Sequence, residues 1–307
     1  MKKAVVTGAN GFVGTALCRE LSRRGVKVIA VVRGGESDVS GIRDLSGLRI
    51  IYCDMSRYGE LGQLLSERDV DVFYHLAWEG AAGSMRGDES VQLRNVQYSC
   101  DALRGCYELQ CKRFVFASSI MEYEVNALME KETTPPVTSL YSSAKVAANQ
   151  MLRTLAASLG IEYIRGVISN IYGPGEKNPR LINASIRKML RREHCSFSPG
   201  EQMYDFIYID DAAGAFYAIG ERGRANRTYY IGSQQPRPLR DFLLEMAHQV
   251  DPSLEIGLGE LPFHGVSLTY REFDIHGVMN DTGFVPKVDF AEGIRRTVEW
   301  IKREEMA

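Results

Sequence analysis

The sequence predicts an α/β fold, a doubly wound parallel sheet with a smaller mixed α/β lobe at its C-terminal end, on three observations. Short apolar runs of β type alternate with helical patterns through residues 1–169. The first run, Ala4-Val5-Val6, feeds directly into Thr7-Gly8-Ala9-Asn10-Gly11-Phe12-Val13-Gly14, three glycines at three-residue spacing that open a helical pattern. After Asn170-Ile171-Tyr172-Gly173-Pro174-Gly175 the rhythm breaks into shorter strands, helices and loops. Parallel strands need long crossovers, usually helices, that cover both faces of the sheet, so their strands read as continuous apolar runs. A length of 307 residues accommodates a first unit at 1–169 and a lobe at 170–307, with some chain crossing back to the first.

In order, the pattern predicts a helix from Phe12 through Arg24, strands at Val26–Val32 and Arg49–Cys53, a helix at Arg57–Ser66 and a strand at Asp71–Leu76. A long helix at Glu89–Leu109, a strand at Arg113–Ala117, a helix at about Leu140–Leu159 and a strand at Tyr163–Ile168 complete the first unit. The remainder reads as helices at Leu181–Arg191, Leu239–Val250 and Phe290–Arg303 with strands at Phe206–Ile209 and Thr228–Ile231. Ligands of such sheets sit at the carboxyl ends of the strands, where Gly8, Arg33, Asp54, Ala77 and the pair Ser118-Ser119 fall.

Composition excludes several classes. Lys and Arg total 37 against 39 for Asp and Glu, a net charge of −2 that gives no global pull toward nucleic acid or an acidic membrane. The six cysteines form no C-x-x-C pair and no zinc-type cluster with histidine, so reduced cytoplasmic thiols and no metal are expected. Met1-Lys2-Lys3 ahead of apolar residues has the outline of a signal peptide, but cleavage would remove the glycine loop. No apolar run approaches the ~18 residues a membrane helix needs. A soluble, cytoplasmic protein is the expectation.

Two segments carry chemistry. In the glycine segment, Gly8 supplies the open φ range of a tight turn, Gly11 lets backbone approach a phosphate, and Gly14 lets helix and strand pack closely. The helix that follows offers unpaired N–H groups and a positive dipole end to a pyrophosphate. Its spacing is G-x-x-G-x-x-G rather than G-x-G-x-x-G, and a ligand-free glycine turn is the competing reading. In Tyr141-Ser142-Ser143-Ala144-Lys145, Tyr141 and Lys145 stand four apart, on one helix face a turn apart. A phenol titrates near ~10, and a nearby ammonium is expected to pull it toward neutrality so that it exchanges a proton with a substrate oxygen.

These segments stand in order with Cys53-Asp54-Met55, His75-Leu76-Ala77, Ser118-Ser119, Asn170-x-Tyr172-Gly173-Pro174-Gly175, Asp205-Phe206-Ile207-Tyr208-Ile209-Asp210-Asp211 and Gly283-Phe284-x-Pro286. The ordered set resembles the extended short-chain dehydrogenases/reductases of the NAD(P)-dependent nucleotide-sugar epimerase/dehydratase family over essentially the whole length. The resemblance implies a Rossmann-like cofactor domain, a substrate lobe, and Ser119, Tyr141 and Lys145 as catalytic residues. It implies cofactor contacts from Gly8, Asn10, Gly11, Phe12, Val13, Gly14, Arg33, Asp54, Met55, Leu76, Ala77, Trp78, Asn95, Ser118, Tyr141, Lys145 and Ile168. Asp54 would accept from the adenine amino group, and Asn95 would brace the site. Ser119, Asn170, Arg180, Tyr204 and Arg271 would face a nucleotide-sugar substrate. Each role has a plainer rival: Asp54 as a helix cap, Asn95 as a solvated helix residue, Ser118 and Ser119 as turn formers, Trp78 as core. A homodimer through the helices Glu89–Leu109 and Leu140–Leu159 is also implied.

Departures from the family pattern narrow the reaction. Arg33 ends the second strand where an NAD-specific member places Asp or Glu on the ribose 2′-hydroxyl, so NADP(H) is preferred and NAD(H) is the alternative. Ile120 and Met121 occupy the positions of the dehydratases' Asp-Glu pair, which removes the proton carriers of an elimination. Tyr204 stands where many members carry an arginine for the diphosphate, leaving Arg180, Arg237 and Arg271 as candidates. NADPH-dependent reduction of a 4-keto nucleotide sugar leads, ahead of a 4-epimerase with tightly bound NAD, reduction of a non-nucleotide ketone, and a cofactor-sensing protein without catalysis.

Overall fold

Seven parallel strands form the central sheet of the computed structural model, which describes residues 1–129, 134–263 and 265–306. In chain order the first part is β1 (Lys3–Thr7), α1 (Phe12–Arg23), β2 (Lys27–Val32), β3 (Leu48–Tyr52), α2 (Leu61–Leu64), β4 (Val72–His75), α3 (Glu89–Glu108), β5 (Arg113–Ser119), α4 (Glu122–Met129), α5 (Ser139–Leu159) and β6 (Glu162–Ile168). There follow β7 (Asn170–Tyr172), α6 (Leu181–Leu190), β8 (Ser196–Phe197), β9 (Met203–Tyr204), β10 (Phe206–Tyr208), α7 (Ile209–Arg222), β11 (Thr228–Ile231), β12 (Arg237–Pro238), α8 (Leu239–Val250), β13 (Gly257–Leu258), α9 (Gly277–Thr282) and α10 (Phe290–Met306). The sheet runs β11-β6-β5-β4-β1-β2-β3. Its order reverses between β1 and β4, paired in register Ala4↔Val72 through Thr7↔His75, and a doubly wound sheet opens its ligand crevice at that point.

The strands are apolar on both faces because both are covered. One face packs with α1, α7 and the C-terminal helices around Leu17, Tyr74, Phe216, Ile219 and Ile294; the other packs with α3 and α5 around Phe73, Phe114, Leu103 and Leu152. α5 buries Tyr141, Ala144, Lys145, Ala148, Leu152 and Ala156, a stripe near the four-residue spacing of one helix face, and stops at Gly160 with φ 68°. α3 begins where the Asp88 carboxylate accepts from Val91 N at 2.9 Å.

The structure departs from the expected elements in several places. The helix expected at Arg57–Ser66 is a 3₁₀ turn over Met55–Glu60 followed by the single turn α2. The strand expected to end at Ile209 gives way there to α7, whose Ala212–Gly220 stretch is buried throughout. β11 pairs with β6 in the main sheet, Thr228↔Arg165 through Ile231↔Ile168. α7 lies so close to the sheet that a Cβ at Gly220 would meet the Tyr74 hydroxyl. Among the described residues no helix is long and apolar enough to cross a membrane.

Candidate active site

The floor of the site is the β1 turn. Gly8 adopts φ 66°, and a Cβ there would lie 2.9 Å from Ala77 N and Cα, so the turn touches the end of β4 through backbone alone. A Cβ on Gly14 would strike Gly8 O, and one on Gly11 would stand 3.2 Å from the same oxygen. Among the described residues no side chain caps α1: Gly11 is its N-cap, and Thr15 N bonds Gly11 O at 2.8 Å. The N–H groups of its first turn therefore face outward, as an anion cradle requires. This cradle fits a dinucleotide pyrophosphate.

Below it the strand ends are pinned. Ser99 Oγ donates to Asn95 O at 2.7 Å and so accepts from His75 Nε2 at 3.0 Å. Thr7 Oγ1 then donates to His75 Nδ1 at 2.9 Å. Burial pushes this imidazole down to about 3, so it stays neutral.

A cleft of about 230 Å³ opens over the turn, lined among others by Gly8, Phe12, Leu76, Trp78, Ser119, Tyr141, Lys145 and Ile168. Gly11, Val13, Gly14, Ser118 and Arg180 also line it. The three residues expected to be catalytic are thus brought together from the end of β5 and the first turns of α5. Lys145 Nζ donates to Ala117 O at 2.9 Å and lies 3.7 Å from the Trp78 ring centroid. Burial brings its ammonium down to about 7, opposed by the Glu122 carboxylate.

Tyr141 corrects one expectation. Burial raises its phenol above the ordinary value, opposed by hydrogen bonding with Ser119 and by the charges of Arg86 and Arg180, with Glu122 adding to the rise. Lys145 is turned to Ala117 and Trp78, so it does not draw the phenol toward neutrality. Arg86 has its guanidinium carbon 4.7 Å from the Tyr141 ring centroid, against 5.9 Å for Lys145 Nζ.

Other expected cofactor residues have commitments of their own. Asn10 Nδ2 donates to Asp38 O at 3.2 Å, so its side chain holds the loop after β2 and is absent from the cleft lining. Asp54 caps the 3₁₀ turn, accepting from Ser56 N at 2.9 Å and Ser56 Oγ at 2.7 Å, as the plainer reading had it. The Met55 side chain is buried in the core beneath β2 and β5, and Ala77 likewise packs into that core. Asn95 is no solvated residue: it accepts from Glu79 N at 2.9 Å, donates to Glu79 O at 2.8 Å and fixes the loop after β4. Trp78 lines the cleft and donates to Gln92 Oε1 at 3.0 Å. The Ser118 hydroxyl is engaged by Glu122 and by Arg165 Nε at 3.1 Å, so it turns inward. Arg33 is 54 % exposed, pairs with Glu79 at 3.3 Å and stands 4.0 Å from Asp54.

A second pocket of about 120 Å³ adjoins the cleft, lined by Asn170, Arg180, Asn183, Tyr204 and Phe206 among others. Asn170 Nδ2 donates to Asp205 O at 3.1 Å, and Arg180 pairs with Glu176 at 3.1 Å. Arg271 lies outside both linings and is exposed. The chain turns at Tyr270 (φ 61°), which packs against Tyr230 and Phe273 and leaves Arg271 in solvent. Arg237 is likewise outside, paired with Glu245 over the Phe242 ring. Ile120 is buried against Val167 and Tyr230. Sequence reasoning missed Arg86 and Gln92 as parts of the site, since neither lies in a recognisable motif, and met Glu122 only as a carboxylate out of register with the dehydratases' Asp-Glu pair. Among the described residues no His, Cys, Asp and Glu cluster could hold a metal ion, and the free cysteines are all buried.

Comparison with known proteins agrees with this geometry. Residues 4–232 match the model of the NAD dependent epimerase/dehydratase family. The dTDP-glucose 4,6-dehydratase 1 of Escherichia coli K12 is 24 % identical over 97 % of this chain and 92 % of its own length. UDP-glucuronate 4-epimerase 4 of Arabidopsis thaliana is 24 % identical over 96 % of this chain and 74 % of its own. In fold the chain is similar to a UDP-N-acetylglucosamine 4-epimerase from Methanobrevibacter ruminantium M1, solved with UDP-N-acetylmuramic acid (TM-score 0.82, 23 % identity, 99 % of both chains). It is similar too to a UDP-glucuronic acid 4-epimerase from Bacillus cereus solved with NAD (TM-score 0.78, 21 % identity, 98 % of this chain and 99 % of the other). With its glycine turn, its Ser119, Tyr141 and Lys145 cluster and a family match over most of its length, the chain belongs to the NAD-dependent epimerase/dehydratase family, NAD(P)-dependent enzymes of the extended short-chain dehydrogenase/reductase type.

Proposed function

We propose that this enzyme reduces a 4-keto nucleotide sugar with NADPH. The observation that carries the reading is Tyr141, a buried phenol that lines with Ser119 a cleft beginning at the N-terminus of α1. The α1 N–H groups, Gly8, Gly11 and Gly14 would hold the pyrophosphate, and Lys145 the ribose hydroxyls. When bound, the dihydronicotinamide supplies the hydride that makes the carbonyl an alkoxide. Ser119 donates a hydrogen bond to that oxygen and Tyr141 gives it a proton. Burial favours the protonated phenol, the form reduction consumes. Asn170, Arg180 and Tyr204 line the pocket assigned to the nucleotide part. Elimination lacks its acid and base: Ile120 is core, Glu122 is paired with Arg165, and Glu124 accepts from Ser142 at 3.2 Å. A homodimer through α3 and α5 belongs to the same reading, supported by the exposed Leu93, Tyr107 and Met151 on those helices.

The preference for NADPH rests on Arg33, an exposed guanidinium at the end of β2 suited to a 2′-phosphate. One observation favours a second reading, a 4-epimerase that keeps NAD bound: the Glu79 carboxylate partly neutralises Arg33. Both are tested by denaturing the purified protein, identifying any released nucleotide by mass spectrometry, and titrating the empty form with NADPH and NADH. The reductase predicts an empty protein that binds NADPH at least about tenfold more tightly. Stoichiometric NAD⁺, or equal affinities, overturns it in favour of the epimerase.

A further inference from the structure

The loop between β4 and α3 holds a cation that no motif accounts for. Arg86 lies in the 3₁₀ turn Ser84–Gly87, and its guanidinium covers the face of the Tyr141 ring at 4.7 Å. Its Nε is buried with no hydrogen-bond partner among the described residues. The turn is held from beneath by Gln92, 2 % exposed, which donates to Gly80 O at 3.2 Å and to Met85 O at 2.9 Å while accepting from Trp78 Nε1. Arg86 N itself bonds Gly83 O at 3.3 Å. The backbone next to Arg86 is thus fixed by the buried amide that also fixes Trp78, the ring against which Lys145 rests.

The groups facing Tyr141 come from five elements. Ser119 approaches from β5, Glu122 from α4, Lys145 from α5, Arg180 from the N-terminus of α6, and Arg86 from the loop. Arg180 is ion-paired with Glu176, Lys145 donates to Ala117 O, and Glu122 is spoken for by Arg165. Of these cations Arg86 lies nearest the ring face, at 4.7 Å against 5.9 Å for Lys145.

We infer that Arg86 is the positioning residue of Tyr141: it holds the ring by a cation–π contact and supplies the positive charge that stabilises the phenolate. This rests on the reading of Tyr141 as the acid–base group. The sense of the effect follows from charge. A cation near the ring favours the ionised phenol, so removing it moves ionisation to higher pH, and a lysine in its place restores part of the shift.

The test is ¹⁹F NMR of the full chain labelled with 3-fluorotyrosine, whose phenol is more acidic than tyrosine's, with Tyr141→Phe to assign the resonance. We expect Arg86→Met and Arg86→Gln to raise the pH of Tyr141 ionisation by about 1 unit, a tenfold change in the equilibrium, and Arg86→Lys to raise it by clearly less. Folding is checked by melting temperature, and two neutral replacements guard against one failing to fold. An unchanged titration in a folded neutral variant overturns the inference, as does a lysine variant that behaves like methionine. Turnover of Tyr141→Phe reports separately on the acid–base reading: retained activity removes that reading, whereas the NMR shift reads the Arg86–Tyr141 coupling directly.

Discussion

Tyr141 and Gly14 show how far single residues could be read ahead. Replacing Tyr141 by Phe deletes one hydroxyl at a buried ring, and we expect reductive turnover to fall by about 10²–10⁴-fold while the dissociation constant of the dinucleotide changes little, measured by steady-state kinetics and fluorescence titration. Gly14→Ala acts otherwise: the added methyl meets Gly8 O and, at 2.9 Å, Ala9 Cα. These are backbone atoms of the turn, so dinucleotide binding is expected to be lost and the melting temperature to drop. Both sites were legible because the chemistry fixes residue type and spacing, three glycines for a close approach and a Tyr and Lys one turn apart. The Lys145 charge was misread for a physical reason. Four-residue spacing puts two side chains on one face, but the carbonyl of Ala117 from β5 and the ring of Trp78 from the loop after β4 decide where the ammonium points. The three-dimensional neighbours Arg86 and Glu122 left no such trace.

At the scale of elements, amphipathic helices such as α5 and α8 stood out by their period, and the β runs by their continuity. α7 did not, because it follows directly on the apolar run Phe206–Tyr208 and its Ala212–Gly220 stretch is a continuous run of small and apolar residues. The short pairs β8–β13 and β9–β12 carry too few residues for any pattern. The join between α3 and the loop after β4 is an element-level device that sequence could only hint at. Asn95 satisfies both the N–H and the carbonyl of Glu79, and Glu79 in turn holds Arg33. Asn95→Ala leaves two partly buried backbone groups without partners, so urea unfolding is expected to show a loss of about 1–3 kcal/mol. An unchanged midpoint would mean that the loop finds other partners.

For the whole molecule, the alternation of strands and helices was enough to read the doubly wound sheet, while the return of β11 to its edge depends on packing that no local pattern encodes. Acid sensitivity is a property at this scale too, because His75 sits at the centre of the sheet. Its imidazole is neutral in the fold and titrates at about 3, against ~6.5 when exposed. Between those values the unfolded chain binds the extra proton, so stability falls as pH drops from 6.5 toward 3. Relative to pH 8, the cost at pH 5 is about 2 kcal/mol. His75→Asn is expected to shrink that difference by a similar amount, whatever it does to stability at pH 8, as read by denaturation at both values. The order of the strands also bears on biogenesis. β6 is bordered by β5 on one side and β11 on the other, and β11 follows only after residues 170–227 have been made. During synthesis the nascent sheet therefore presents β6 as an open edge with unpaired N–H and carbonyl groups, a surface that invites pairing with another chain until the late strand arrives to close it.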